Sequence, residues 1–247
     1  MKLTFISDTH CTKPKLPSAD VLIHCGDLTG MGTVNAFRQE LDWFESLKPQ
    51  FPEGIYFIPG NHDIGLDRSN IIARVEAFYK DPYHRYPPKW QLDDPVFIKK
   101  MYADAGVHII IDQAFMLGDI PCYGSPMTPA FYGWAFGAKD QDLDLYWQMI
   151  PAATQLLITH GPPYRILDLC PNGHVGSESL AKALSKLPNL KLHAFGHIHE
   201  SAGLMVHPGG RLSLNASVLD GNYNGFNPIY TIETRDWSYT VLKDETV

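Results

Sequence analysis

Short runs of mostly apolar residues alternate with longer, more polar segments along this chain. Each run has the length of a buried β-strand and is followed by residues that favour turns. The five clearest runs cover residues 2–7, 21–25, 55–58, 155–159 and 191–195. We therefore predict an α/β protein whose sheets are built on these strands.

Several of the longer segments show the apolar spacing of amphipathic helices. In residues 33–47 the apolar positions begin at Val34 and end at Leu47, and Thr33 is a candidate N-cap. This helix would join the second and third strands in a β-α-β unit. Further helices are predicted at residues 71–79, 95–104, 140–149 and 177–187, the second of these with Asp94 as its cap and Pro95 at its first position.

The remaining pattern predicts shorter strands and two loops. Residues 107–112, 114–117 and 121–124 are assigned to a second sheet with antiparallel pairing, and residues 204–242 alternate in short strands with a hairpin turn at Gly209 and Gly210. Residues 81–94 and 125–137 are rich in proline, glycine and aromatic residues and lack periodicity. Residues 81–94 are predicted to form a loop at the mouth of a site or at a subunit contact. A homo-oligomer is therefore one of the predicted possibilities.

Composition narrows the class of protein. At 247 residues with 45% hydrophobic content, the chain can bury one sizeable core, and we predict a single domain over residues 1–247. The net charge of -7 argues against broad electrostatic binding to nucleic acid or to an anionic membrane. No apolar run reaches the roughly 18 residues of a membrane span, the start of the chain does not resemble a secretory signal, and the four cysteines lack C-x-x-C spacing. These features indicate a cytoplasmic protein with reduced thiols.

Polar side chains that suit metal binding follow the five strands. In an extended segment, residues two apart face the same side, so Asp8 and His10 are expected to converge, as are His197 and His199. His24 lies inside an apolar run and is predicted to be a hydrogen-bonded core histidine. The candidates at the strand ends are Asp8, His10, Asp27, Asn61, His62, His160, His197 and His199.

This mixture of carboxylate, imidazole and amide groups suits borderline divalent ions such as Mn, Fe, Zn, Co or Ni. Two such ions about 3.5 to 4 Å apart could share a carboxylate such as that of Asp27, and solvent between them would become a nucleophile near neutral pH. The same pair would bind the non-bridging oxygens of a phosphate ester.

The chain resembles the calcineurin-like metallophosphoesterase superfamily, whose motif series is D-x-H, G-D, G-N-H-D/E, a lone H and G-H-x-H. All five blocks stand here in order, starting at Asp8, Gly26, Gly60, His160 and Gly196. The resemblance implies a β-sandwich of two mixed sheets flanked by helices, with two metal ions at the strand ends. It also implies metal-dependent hydrolysis of phosphoric esters.

The resemblance implies a role for each candidate residue. The first metal would be held by Asp8, His10, Asp27 and His199, and the second by Asp27, Asn61, His160 and His197. His62 would bind the phosphate and act as a general acid on the leaving oxygen, an effect typically worth roughly 10² to 10⁴ in rate. Asn61 also counts as substrate-binding, and Asp63 is expected to orient the turn.

Within the superfamily the chain is similar to the group that includes the brain metallophosphoesterase-domain proteins of animals. The likeness lies in blocks such as residues 123–126, 159–163, 195–200 and 215–217. That group acts on phosphodiesters including cyclic nucleotides. We therefore expect a small phosphate ester as substrate, nucleotides among them, with Phe131 or Trp134 beside a base, although aromatic loops more often serve packing alone.

Two other functions remain as alternatives. The first is a catalytically weak nucleotide-binding or scaffold protein on the same fold, but such members typically lose histidines that this chain retains. The second is a nuclease, but the acidic charge balance and the lack of a Lys/Arg stripe count against extended contacts with a nucleic-acid backbone. The sequence thus favours a phosphodiesterase of small substrates, with some monoesterase activity also compatible.

Overall fold

A computed structural model of the chain describes residues 1–69 and 95–243. Its first six-stranded sheet consists of β1 (Lys2–Ile6), β2 (Val21–His24), β3 (Gly54–Phe57), β4 (Val107–Ile109), β15 (Ile229–Glu233) and β16 (Ser238–Leu242). The strand order is β16-β15-β1-β2-β3-β4. Strands β1 to β4 pair in parallel, whereas β15 and β16 are added by antiparallel pairing.

The second six-stranded sheet is also mixed. It consists of β5 (Gln113–Leu117), β6 (Ile120–Ser125), β9 (Leu156–Thr159), β12 (Leu192–Phe195), β13 (Gly203–Val206) and β14 (Leu212–Asn215). The order is β13-β14-β12-β9-β6-β5, and the four central strands are parallel. Two small two-stranded sheets are formed by β7 (Thr128–Pro129) with β8 (Gly137–Ala138) and by β10 (Leu169–Cys170) with β11 (Gly173–His174).

Four α-helices are described: α1 (Val34–Leu47), α2 (Pro95–Asp104), α3 (Asp140–Trp147) and α4 (Glu178–Leu184). The Thr33 side chain accepts a hydrogen bond from the N–H of Ala36 and caps α1. Ser177 caps α4 in the same way through the N–H of Leu180. Such caps satisfy backbone donors that have no partner inside the helix. None of the described helices is both long enough and apolar enough to cross a membrane.

Two apolar clusters hold these elements together. Between the sheets, Leu3 and Phe5 of the first sheet pack in one cluster with Ile158 and Leu192 of the second. The outer cluster packs helix residues such as Phe44 against the other sheet faces. The fold is therefore an α/β sandwich of two mixed sheets flanked by helices, as the sequence predicted.

Most predicted elements are confirmed to within a few residues at their ends. The hairpin turn at Gly209 and Gly210 connects β13 to β14, and both glycines have positive φ, a backbone conformation that glycine adopts without strain. His24 is a buried histidine whose Nε2 lies 2.9 Å from Thr9 Oγ1, as expected for a core residue. The predicted helix at residues 71–79 and loop at residues 81–94 lie outside the described residues, as does Asp94.

One strand assignment is wrong. The run at residues 107–112 was expected in the second sheet, but only Val107–Ile109 forms a strand, and it belongs to the first sheet. Helix α2 precedes it and returns the chain to the start of β3, so β4 pairs in parallel with β3. Periodicity alone could not reveal this because a three-residue strand carries no information about its partner.

Candidate metal centre

The carboxyl ends of the parallel strands meet at one edge of the sandwich. Strands β1, β2 and β3 of the first sheet end there, as do β9 and β12 of the second. A bridge between Ser7 and Ser217 joins the two sheets at this edge. This topology brings side chains that are far apart in sequence to one place, as is usual for α/β sites.

Four of the site residues have a left-handed backbone conformation. Asp8, His10, Asp27 and His197 have φ values of 55°, 44°, 54° and 72°. The expected extended geometry after the strands is therefore wrong, because the backbone turns sharply at these residues. Non-glycine residues rarely adopt such conformations, and they often do so at functional sites.

The structure brings the candidate ligands together in three overlapping groups. Within each group one potential ligand atom from every residue lies within 4.8 Å of the others. The groups are Asp8, His10 and His199; His10, Asp27 and His62; and Asp27, His160 and His197. His197 and His199, expected on the same side, therefore belong to different groups. The first group contains three of the four residues of the first ligand set implied by the resemblance, without Asp27, and the third group contains three of the four of the second set, without Asn61. The binding of metal by these residues stays a prediction.

The first group is centred on the buried carboxylate of Asp8. Its Oδ1 lies 3.4 Å from His199 Nε2, and its Oδ2 accepts hydrogen bonds from Ser217 Oγ at 2.8 Å and from the N–H of His197 at 2.9 Å. Burial alone would raise the pKa of Asp8, but the neighbouring His199, His160 and His10 lower it well below its usual value. Asp8 is therefore ionised, as a metal ligand must be.

His199 is oriented by a hydrogen bond at Nδ1, the ring nitrogen remote from Asp8. Its Nδ1 lies 3.2 Å from the carbonyl oxygen of Asp220, and since a carbonyl only accepts, Nδ1 carries the proton. Nε2 then faces Asp8; burial lowers the pKa of His199, but the Asp8 carboxylate outweighs burial and raises that pKa. Such a hydrogen bond to the remote nitrogen fixes the tautomer that a metal-binding histidine needs.

The other group is centred on Asp27 and His160, both buried. His160 Nε2 lies 3.4 Å from Asp27 Oδ2 and 2.9 Å from Asn61 Oδ1, while Nδ1 donates to the carbonyl of Cys25 at 3.0 Å. Burial would lower the pKa of His160, but Asp27 and then Asp8 outweigh it and raise the pKa to about 9. Without a metal ion, this position therefore favours a positive charge.

The donor set fits divalent cations. Two ligands of one ion at about 2.1 Å and at right angles are roughly 3 Å apart, close to the separation of His160 Nε2 and Asn61 Oδ1. His10 Nε2 is buried, lies 3.8 Å from Asp27 Oδ2 and has no hydrogen-bond partner among the described residues. Burial also lowers the pKa of His10 and brings that of His197 to about 4, which keeps both imidazoles neutral and able to bind metal.

His62 belongs to the second group but lies outside the two ligand sets implied by the resemblance, and it is held differently. Its Nδ1 donates to the carbonyl of Gly30 at 2.8 Å, which leaves Nε2 as the ring atom available to a substrate. Its ring stacks on Trp134 with centroids 4.1 Å apart and an interplanar angle of 29°. His62 is therefore fixed in tautomer and orientation.

Asp63 ties two of the site turns together. Its buried carboxylate accepts hydrogen bonds from the backbone N–H groups of Gly60, Leu28 and Thr29 and from Thr29 Oγ1, at 2.9 to 3.2 Å. Burial, reinforced by the nearby Asp27, raises the pKa of Asp63 to about 6. Asp63 thus orients the turn that carries Asn61 and His62, as predicted.

Sequence reasoning missed several residues that shape the site. Ser217 holds Asp8, and Asn215 Nδ2 donates to the carbonyl of Ile198 at 2.8 Å. Tyr223 packs its ring against His10 and His199, at centroid distances of 5.1 and 4.7 Å. The interruption of the strand pattern at residues 215–217 was visible in the sequence, but nothing local pointed to Tyr223.

An open cleft of about 500 Å³ leads to these residues. Asp27, Asn61, His62, His197 and His199 lie at its base. The walls are more apolar and are formed by Thr128, Pro129, Ala130, Phe131, Trp134, Cys170, Asn172, Val175, Ile198, Glu200, Gly221 and Tyr223. The cleft can accept a small ligand with an anionic group at the base and a less polar group above it.

Comparison with known proteins identifies related chains. A family model described as calcineurin-like phosphoesterase matches residues 1–201. Metallophosphoesterase domain-containing protein 1 of Homo sapiens is 33% identical over 233 residues, which cover 92% of this chain and 69% of the relative. A 3′,5′-cyclic-nucleotide phosphodiesterase of Nostoc sp. is 23% identical over 186 residues, which cover 74% of this chain and 57% of the relative.

Among solved structures, one described as a novel archaeal phosphodiesterase aligns with a TM-score of 0.46 at 14% identity. The alignment covers 98% of this chain and 99% of that chain.

Proposed function

Because the chain belongs to the calcineurin-like phosphoesterase family, we propose that it hydrolyses small phosphodiesters with two divalent metal ions bound at the candidate metal centre. The metals would be Mn, Fe, Zn, Co or Ni, the ions that a mixed carboxylate, imidazole and amide site suits. Nucleotides, including cyclic nucleotides, are among the proposed substrates.

One observation carries the proposal: Asp27 lies between two groups of potential ligands. Its Oδ2 is 3.8 Å from His10 Nε2 on one side and 3.4 Å from His160 Nε2 on the other. A carboxylate in this position can be shared by two ions. The proposed first set is Asp8, His10, Asp27 and His199, and the proposed second set is Asp27, Asn61, His160 and His197.

The protein's own residues prepare the site for hydrolysis. When bound, two divalent ions supply positive charge for the phosphate oxygens and lower the pKa of water so that it becomes a nucleophile. The carboxylates of Asp8 and Asp27 are buried and ionised, and neutral His10 and His197 present lone pairs. Asn61 would contact both the second metal ion and the substrate.

His62 is proposed as the general acid. Its Nδ1 proton is committed to the Gly30 carbonyl, so the proton that can be transferred to a leaving oxygen is the one on Nε2. The stacked Trp134, in the cleft wall, keeps the His62 ring in place at the base of the cleft. A positioned general acid of this kind lowers the barrier to departure of an alkoxide.

Two observations support diesters over monoesters. The relative from Nostoc sp. carries the name 3′,5′-cyclic-nucleotide phosphodiesterase. The apolar walls formed by Phe131, Trp134 and Val175 leave room for the second ester group that a diester retains.

The test is hydrolysis of bis(p-nitrophenyl) phosphate by purified protein. Protein reconstituted with Mn²⁺ should release p-nitrophenol, and chelation should abolish the reaction. A panel of 2′,3′- and 3′,5′-cyclic nucleotides and monoesters would then define the preference. The matched control is Asp104→Asn, an exposed change in α2, against Asp27→Asn at the proposed bridge. Failure of the metal-loaded protein on every mono- and diester would overturn the proposal.

A further inference from the structure

The loop formed by residues 217–227 contacts the candidate metal centre although it lies beyond residues 1–201, the part matched by the family model. The Asp220 carbonyl accepts the Nδ1–H of His199 at 3.2 Å. The Tyr223 ring lies 4.7 Å from the His199 ring and 5.1 Å from the His10 ring, centroid to centroid. Tyr223 also lines the cleft.

Hydrogen bonds within the loop fix the position of Tyr223. The Asp220 carboxylate accepts the N–H groups of Asn222 and Asn224 at 2.9 and 3.0 Å, and the N–H of Tyr223 donates to the Asp220 carbonyl at 2.9 Å. That carbonyl is the one that orients His199, so the two residues share an acceptor. Tyr223 has a φ of 60°, which is unusual for an aromatic residue and is held by these contacts.

The Tyr223 ring extends a series of rings along the cleft. Trp134 stacks on His62 at 4.1 Å, His62 meets His10 at 4.7 Å, and His10 meets Tyr223. Although it packs on two histidines, Tyr223 remains 54% exposed, so part of its ring is available to a ligand. Exposed aromatic surface in a cleft is a favourable binding surface for flat apolar groups.

We propose that Tyr223 is a specificity-determining residue that binds a flat, largely apolar ester group of the substrate while the phosphate occupies the metal centre. The inference rests on the proposed function and adds the substrate class that the site selects. The phenol contributes through its ring.

The test compares phenylphosphonate with methylphosphonate, two unreactive ligands that differ in the presence of a ring. Calorimetry on the Mn²⁺-loaded protein should show about tenfold tighter binding of phenylphosphonate. Tyr223→Asn removes the ring while keeping a residue that tolerates positive φ, and it should lose this preference. Tyr223→Phe should keep it, as should Tyr239→Asn, a matched change at an exposed tyrosine on β16.

Kinetics provide a second readout. With bis(p-nitrophenyl) phosphate, which has two flat ester groups, Tyr223→Asn should raise KM several-fold with little change in kcat, and the rise in KM should be smaller with methyl p-nitrophenyl phosphate, which has one. The proposal is overturned if Tyr223→Asn keeps the preference for phenylphosphonate, or if it loses metal, since a specificity role leaves metal binding intact. If the wild type hydrolyses diesters but binds both phosphonates equally, this inference alone fails. If it neither hydrolyses esters nor binds either ligand, the proposed function fails as well.

Discussion

Single residues at the site are held by partners that fix both orientation and protonation. His62, His160 and His199 each donate Nδ1–H to a backbone carbonyl, which leaves Nε2 directed to the site. The carbonyls belong to Gly30, Cys25 and Asp220. All three histidines share this arrangement, and they differ in the groups that surround their rings. His160 Nε2 lies 2.9 Å from Asn61 Oδ1 and His199 Nε2 lies 3.4 Å from Asp8 Oδ1, whereas the His62 ring, which also lies near Asp27, stacks on Trp134.

We expect His62→Ala to lower kcat by roughly 10² to 10⁴ while the protein still binds two equivalents of metal. The reason is that His62 is the proposed proton donor and lies outside the two proposed ligand sets. Steady-state kinetics with metal analysis would check this. His108→Ala, at an exposed histidine on β4, is the control, and His160→Ala should instead lose metal. A His62→Ala enzyme within threefold of wild-type kcat would contradict the general-acid role.

At the scale of secondary-structure elements, helix α1 both stabilises the fold and buries an ionisable side chain. Helix α1 packs its apolar face on the first sheet but also buries Glu40, which is 1% exposed. Glu40 Oε2 has no hydrogen-bond partner within the part of the chain that the structure describes. Burial raises the pKa of Glu40 to about 7 from an ordinary value of 4.5, because the charged form is poorly solvated there.

This burial predicts a pH-dependent stability. Between pH 4.5 and 7 the folded state binds more protons at Glu40 than the unfolded state, so the contribution of this group to stability falls as pH rises through that window. Glu40→Gln should therefore be more stable than wild type by roughly 1 to 3 kcal/mol at pH 8 and nearly equal at pH 4.5. Urea unfolding of metal-free protein across pH measures this, with exposed Glu45→Gln on the same helix as control. A constant difference at all pH values would contradict the assignment.

The whole molecule is organised around the edge where its two sheets meet. Asp8 and Asp27 follow strands of the first sheet, and His160 and His199 follow strands of the second. The link between sheets at this edge includes the bridge from Ser7 to Ser217. Metal ions bound by residues from both sheets would therefore connect the two halves of the sandwich.

Metal binding should consequently stabilise the fold. At a free metal concentration of 100 times Kd, each site that binds the folded state alone adds about 2.7 kcal/mol to the free energy of unfolding. Calorimetric melting of chelated and Mn²⁺-loaded protein would show this as a rise in Tm. Asp27→Asn should lose most of the rise, whereas Asp104→Asn should keep it. Equal Tm values with and without metal would contradict binding at the shared edge.

The sequence predicted the local features of this protein well. Apolar runs, caps such as Thr33 and turn residues such as Gly209 act over a few residues, so their outcome can be read from a short window. The polar residues after the strands also indicated the candidate site, because functional groups in α/β folds usually lie at the carboxyl ends of strands. Family membership follows from the same blocks.

Tertiary structure decided the rest, since it depends on contacts between distant segments. The sheet to which β4 belongs, the left-handed turn at His197 and the division of His197 and His199 between two groups all depend on which strands become neighbours. Ser217 and Tyr223 reach Asp8 and His10 across about 210 residues of chain. No local pattern encodes such contacts, because they arise only when both sheets have closed around the common core.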